Sequence, residues 1–98
     1  MPLSNRQKRY LRELAHGLKP VVMIGQRGVT ESLVEELEGA LSHHELLKVK
    51  IANGDRTARD ADIDALLAAT GAQLVHRIGH VACLYRPNAE QPRLQLPR

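Results

Sequence analysis

The amino-acid sequence predicts an α/β (α+β) fold in which three helices and four strands follow one another in the order αβαβαββ. Three observations carry that expectation. Segments with apolar residues at helical spacing alternate with short β-branched runs, a capping side chain precedes each helical segment, and two extended runs close the sequence with only Ile78-Gly79-His80 between them. Strands joined through helices normally lie parallel and a hairpin is antiparallel, so the four strands should form one mixed sheet with the helices packed on it.

The first helix is expected from about Asn5 to His16. Ser4-Asn5-Arg6-Gln7 has capping-box spacing, in which the Ser and Gln side chains each satisfy a free backbone N–H. Gln7, Leu11, Leu14 and Leu18 fall near one side with Ala15 flanking, while Arg6, Lys8, Arg9 and Arg12 sweep across the other. Gly17 suits the left-handed position that ends a helix. Pro20-Val21-Val22-Met23-Ile24 reads as a buried strand with Pro at its first residue, where a missing donor is tolerated.

After Gly25-Gln26-Arg27-Gly28, Thr30 can cap a second helix with Leu33, Val34, Leu37 and Leu41 on its apolar face, stopping near His43-His44. In Leu46 to Ile51 the residues Leu47, Val49 and Ile51 face one way and Lys48 and Lys50 the other, a second strand ended by Asn53-Gly54-Asp55. Thr57 can cap a third helix, with Asp60 at the capping-box position, Ile63, Leu66, Leu67 and Thr70 on one face and Gly71 at its end. Ala72 to Arg77 and Val81 to Arg86 form the closing hairpin. Pro87, Pro92 and Pro97 then exclude regular structure. Residues 1–87 should therefore form one domain and 88–98 an extended, mobile tail, in which Arg93 and Arg98 could add phosphate contacts.

With 98 residues, no Phe or Trp and two Tyr, that domain must build its core from aliphatic side chains. A lone cysteine, Cys83, excludes an intramolecular disulfide and a paired-thiol metal site, and its apolar strand marks it as an inert core thiol. The first residues turn polar at once and no run approaches the ~20 apolar residues of a membrane span, so a soluble, cytoplasmic protein is expected. His43-His44 have no ligand at a recognised metal spacing, and no metal, cofactor or small-molecule substrate is expected. Charge is unevenly spread: residues 1–28 hold six basic side chains and one acidic, the remainder eight basic and ten acidic. One basic face directed at a polyanion accounts for that asymmetry.

The glycine-flanked turn between the first strand and second helix is the most informative feature. Glycines let backbone approach a ligand, a helix start offers free N–H groups to a phosphate, and Arg27 adds a charge. A tight strand-to-helix turn would look the same. The loop lacks the Gly-Lys-Ser/Thr ending of nucleotide-hydrolysing loops and the third glycine of dinucleotide loops. Its composition is that of a KH-domain GxxG, although there two helices flank it. Neither the sequence around it nor the scattered histidines supply a base and nucleophile, so no catalytic residue is assigned and the chain is not expected to be an enzyme.

Leu11 to Thr30, read as LRELAHGLKPVVMIGQRGVT, resembles the signature of the CRM domain, particularly its bacterial YhbY group. Ser42 to Ile51, Ile78-Gly79-His80 and Leu84-Tyr85-Arg86-Pro87 continue the resemblance over nearly the whole chain. It implies a fold similar to the C-terminal domain of translation initiation factor three, RNA as partner, and association with 23S rRNA in precursors of the large ribosomal subunit (pre-50S particles); the chain is expected to act as a monomer. It maps the family's GxxG loop onto Gly25, Gln26, Arg27 and Gly28, and the basic neighbourhood onto Lys19, Arg6, Lys8, Arg9 and Arg12. Lys48 and Lys50 could extend that surface. The third helix, acidic from Asp55 to Asp64, is not expected to contribute. Backbone geometry rather than base stacking should dominate recognition, since aromatic residues are scarce. The alternative is a protein-interaction module that docks its first helix on an acidic ribosomal or assembly protein.

Overall fold

A computed structural model describes residues 2–52 and 54–97, with helices α1 (Asn5–Ala15), α2 (Glu31–His44) and α3 (Arg56–Thr70) and strands β1 (Val22–Ile24), β2 (Leu46–Ile51), β3 (Gln73–Ile78) and β4 (Val81–Tyr85). The order is the expected αβαβαββ. The strands form one mixed sheet in the spatial order β1-β2-β4-β3, with β1 parallel to β2 and the other pairs antiparallel. The expected break at Asn53 and the contact suggested for Arg98 lie outside the described residues.

Strand alternation divides the core between two faces of the sheet. Val22, Ile24, Leu47, Val49, Ile51, Ala82 and Leu84 pack against Leu37 and Leu41 of α2 and Ile63 and Leu66 of α3. Leu46, Val75, Cys83 and Tyr85 point the other way, onto Leu11 and Ala15 of α1. The sheet is thus the middle of three layers, but α1 is a single helix and covers its face only in part.

That incomplete cover corrects two expectations. Leu14 is 42% exposed, because α1 rests on the sheet along the narrow line of Leu11 and Ala15, and Leu18, which the expected helix face included, lies beyond the end of α1 and is 41% exposed. The first strand is not buried on both faces: Met23 is 58% exposed between buried Val22 and Ile24, since β1 is the sheet edge and α1 lies against β2 and β3.

The helix ends follow local hydrogen-bond chemistry. Ser4 and Gln7 form the reciprocal capping box, and Thr30 Oγ1 accepts the Leu33 N–H at 3.2 Å. The α3 cap is Asp55 instead of Thr57: its carboxylate accepts the Thr57 N–H at 3.2 Å, and the stronger capping residue starts the helix earlier. Asp60 consequently leaves the expected capping box and pairs with Arg77. Gly71 ends α3 at φ 72°, as expected, whereas Gly17 is not left-handed and α1 closes through Leu18 N–H to Ala15 C=O at 2.9 Å.

A non-glycine residue, Glu45, takes the positive φ (62°) that ends α2. Glu45 is fully buried, and its carboxylate accepts N–H groups of Asn88 (2.7 Å), Arg93 (2.6 Å) and Leu94 (2.9 Å). Residues 88–97 have no helix or strand, as the prolines require, but they are fastened to the body and do not hang free. Leu94 and Leu96 pack under α1, and Gln7 Nε2 donates to Pro97 C=O at 3.0 Å. Among the described residues no helix is long and apolar enough to cross a membrane.

Candidate nucleic-acid interface

The Gly25–Gly28 turn stands open at the end of the sheet where β1 and β2 finish. Gly25, Gln26 and Arg27 are exposed, and the Gly28 N–H closes the turn on Gly25 C=O at 3.1 Å. Gly28 has φ 73°, so a side chain there would be strained. One negative charge stands behind the turn: a Cβ built on Gly28 would lie 3.5 Å from Asp62 Oδ1, and Asp62 Oδ2 is buried without a hydrogen-bond partner. The loop therefore presents amides and Arg27 outward, with a carboxylate at its back.

Two neighbouring connections reach the same end of the sheet. Ala52 N–H donates to Ile24 C=O at 2.9 Å, and Ile51 N–H donates to His80 C=O at 2.7 Å. Here Arg56, Arg59, Arg77 and Gly79 line a cavity of about 270 Å³. Arg77 is paired with Asp60, and Arg59 Nη1 donates to Gly54 C=O at 2.8 Å. Sequence reasoning missed this cluster, because Arg56 and Arg59 sit within an acidic stretch and Arg77 joins them only through the β3–β4 hairpin. Of the aspartates in that stretch, Asp55 caps α3, Asp60 holds Arg77, Asp62 lies under Gly28 and Asp64 is exposed.

A larger groove of about 730 Å³ opens where α1 leaves the other sheet face uncovered. Arg9, Arg12 and His16, spaced along one side of α1, face Lys48 and His76 across it. Leu18, Pro20, Ile78, Val81 and Cys83 supply apolar walls, and Glu13 is the single carboxylate of the lining. Burial pushes the Cys83 thiol up to about 11 against a smaller opposing effect of Lys48, so the thiol is neutral near pH 7.

The expected single basic patch is thus two concavities sharing one wall. Ile78 and Val81 of the β3–β4 hairpin face the groove, while Arg77 and Gly79 of the same hairpin face the smaller cavity. Arg9, Arg12 and Lys48 are brought together in the groove. Lys19 is exposed between two lining residues, Leu18 and Pro20, without itself lining the groove, and Lys50 is exposed on the same sheet face, paired in register with Met23. Arg6 and Lys8 are exposed on α1 but do not line the groove. Gly25, Gln26, Arg27 and Gly28 belong to the sheet end. Among the described residues, no group of His, Cys, Asp and Glu has an arrangement suited to a metal ion.

The sequence and fold match known proteins closely. Residues 3–86 match the model of the CRS1 / YhbY (CRM) domain. A protein of Haemophilus influenzae named "RNA-binding protein" is 50% identical over 96 residues, covering 98% of this chain and 96% of its own length. A "Probable RNA-binding protein" of Bacillus subtilis is 33% identical over 95 residues, covering 97% and 99%. A solution structure from Staphylococcus aureus, described as that of a proposed RNA-binding protein, superposes with a TM-score of 0.83 at 34% identity, over 97% of this chain and 99% of that one. On these grounds the chain belongs to the CRS1 / YhbY (CRM) domain family.

Proposed function

We propose that this protein binds structured RNA, 23S rRNA in precursors of the large ribosomal subunit, and acts in the cytoplasm as a non-catalytic ribosome-assembly factor. The carrying observation is the exposed Gly25–Gly28 turn at the sheet end that the β3–β4 hairpin also reaches, together with the two cation-lined concavities that share this hairpin. Relatives named as RNA-binding proteins support the choice of polyanion. In this reading the loop amides and Arg27 grip the phosphate backbone, while Arg9, Arg12, Lys19 and Lys48, with Arg6, Lys8 and Lys50 at longer range, fix orientation. Arg56, Arg59 and Arg77 extend the contact across the sheet end.

A mobility-shift titration of purified protein with a structured large-subunit rRNA fragment tests it. If about four phosphates are neutralised, log affinity should fall with log salt at a slope near −3. Arg27→Glu should weaken binding without lowering the melting temperature, since the side chain is exposed. A flat salt response, or binding only when a ribosomal protein is added, would replace this reading with a protein-docking one.

A further inference from the structure

The two concavities differ in chemistry, and the difference specifies a ligand. At the sheet end, loop and arginines address charge. The groove joins charge to an exposed apolar wall: Ile78 is 69% exposed, with Val81 and Leu18 beside it. Paired bases cannot use such a wall, because their faces are stacked on one another and a duplex presents only edges, sugars and phosphates. An unpaired base offers its whole face.

The groove also supplies rings that a count of Phe, Trp and Tyr does not register. His16 and His76 line it, and imidazoles are among the side chains on which splayed-out bases stack. Arg9 and Arg12, about one turn apart on α1, and Lys48 opposite them can take the phosphates on either side of that base. Glu13 repels phosphate but accepts from a 2′-hydroxyl or a base N–H, donors that a nucleotide carries and a bare phosphate lacks. At about 730 Å³ the groove lies within the ~300–1,000 Å³ typical of sites for single small ligands.

Resting on the RNA-binding reading above, we infer that the groove between α1 and the β3–β4 hairpin receives one unpaired nucleotide of an otherwise structured RNA. The base lies against Ile78 and His76, and its flanking phosphates meet Arg9, Arg12 and Lys48. The Gly25–Gly28 loop holds the adjoining helical backbone.

The test compares two RNA hairpins that differ only by a single bulged nucleotide, with 2-aminopurine at that position and paired in the control. Fluorescence anisotropy should show the bulged RNA bound about tenfold tighter, the scale of one base stacked on protein side chains, and 2-aminopurine emission should change on binding. His76→Ala with Ile78→Ala, neither side chain being buried, should abolish the preference while circular dichroism stays unchanged. Arg27→Glu should weaken both complexes equally and keep the preference. Equal affinity of the wild-type protein for the two hairpins, or a preference that survives the double substitution, overturns the groove assignment and leaves RNA binding standing. No binding of either hairpin overturns both.

Discussion

The buried carboxylate of Glu45 accepts the backbone N–H of Asn88 at 2.7 Å, across the whole length of sequence between the second helix and the tail. Its other oxygen takes the N–H groups of Arg93 and Leu94. One side chain therefore substitutes for the ladder bonds that a proline-interrupted segment cannot form. Glu45 accepts a positive φ to stand there, a conformation that costs a non-glycine residue roughly 1–3 kcal/mol.

Glu45→Ala should destabilise the fold by about 2–4 kcal/mol, because three backbone donors lose a charged acceptor. Chemical denaturation measures the loss, and hydrogen exchange should show it localised, with the amides of Asn88, Arg93 and Leu94 losing protection. Glu45→Gly should be the milder change, since glycine relieves the backbone while removing the same carboxylate. Unchanged exchange in the tail would show that packing of Leu94 and Leu96 under α1 holds it instead.

Asp62 stands behind the loop with one oxygen buried and without a hydrogen-bond partner. Its charge opposes any anion held by the loop, as expected of a negative group a few ångströms away. Asp62→Asn should tighten RNA binding by about two- to fivefold, with the greatest gain at low salt. A titration at two ionic strengths checks this; weaker binding by the variant would mean that the carboxylate positions the loop.

The Cys83 thiol gives a pH signature. Burial raises it from the ordinary 9.0 to about 11 in the folded protein. The folded state therefore holds its proton more tightly than the unfolded chain, so the associated stability is complete below pH 9 and is lost as pH rises toward 11. Denaturation midpoints should fall across that window, and Cys83→Ala should flatten the fall. Alkylation of the native thiol should remain slow until the upper end of the same range.

Much of the architecture was legible in local chemistry. The Ser4–Gln7 box, the Thr30 cap, the Leu47–Val49–Ile51 alternation and Gly71 each act within a few residues, so element type and order could be read directly. The same range explains the errors. Asp55 and Thr57 are both competent caps two positions apart, and only the placed helix shows which one begins it. Leu14 and Leu18 satisfy an amphipathic pattern, but a helix resting on a sheet by one narrow line cannot bury Leu14, and the helix ends before Leu18.

The sequence by itself determined the αβαβαββ order, the glycine-flanked turn and the concentration of cations in the first 28 residues. Tertiary structure decided which cations share a surface. Arg9 and Lys48 meet only because α1 lies over part of one sheet face, and Arg56 and Arg77 meet only because a hairpin returns to the start of α3. Capping and periodicity act between near neighbours in the chain, whereas burial and electrostatics act between neighbours in space, and no local pattern encodes the second kind of proximity.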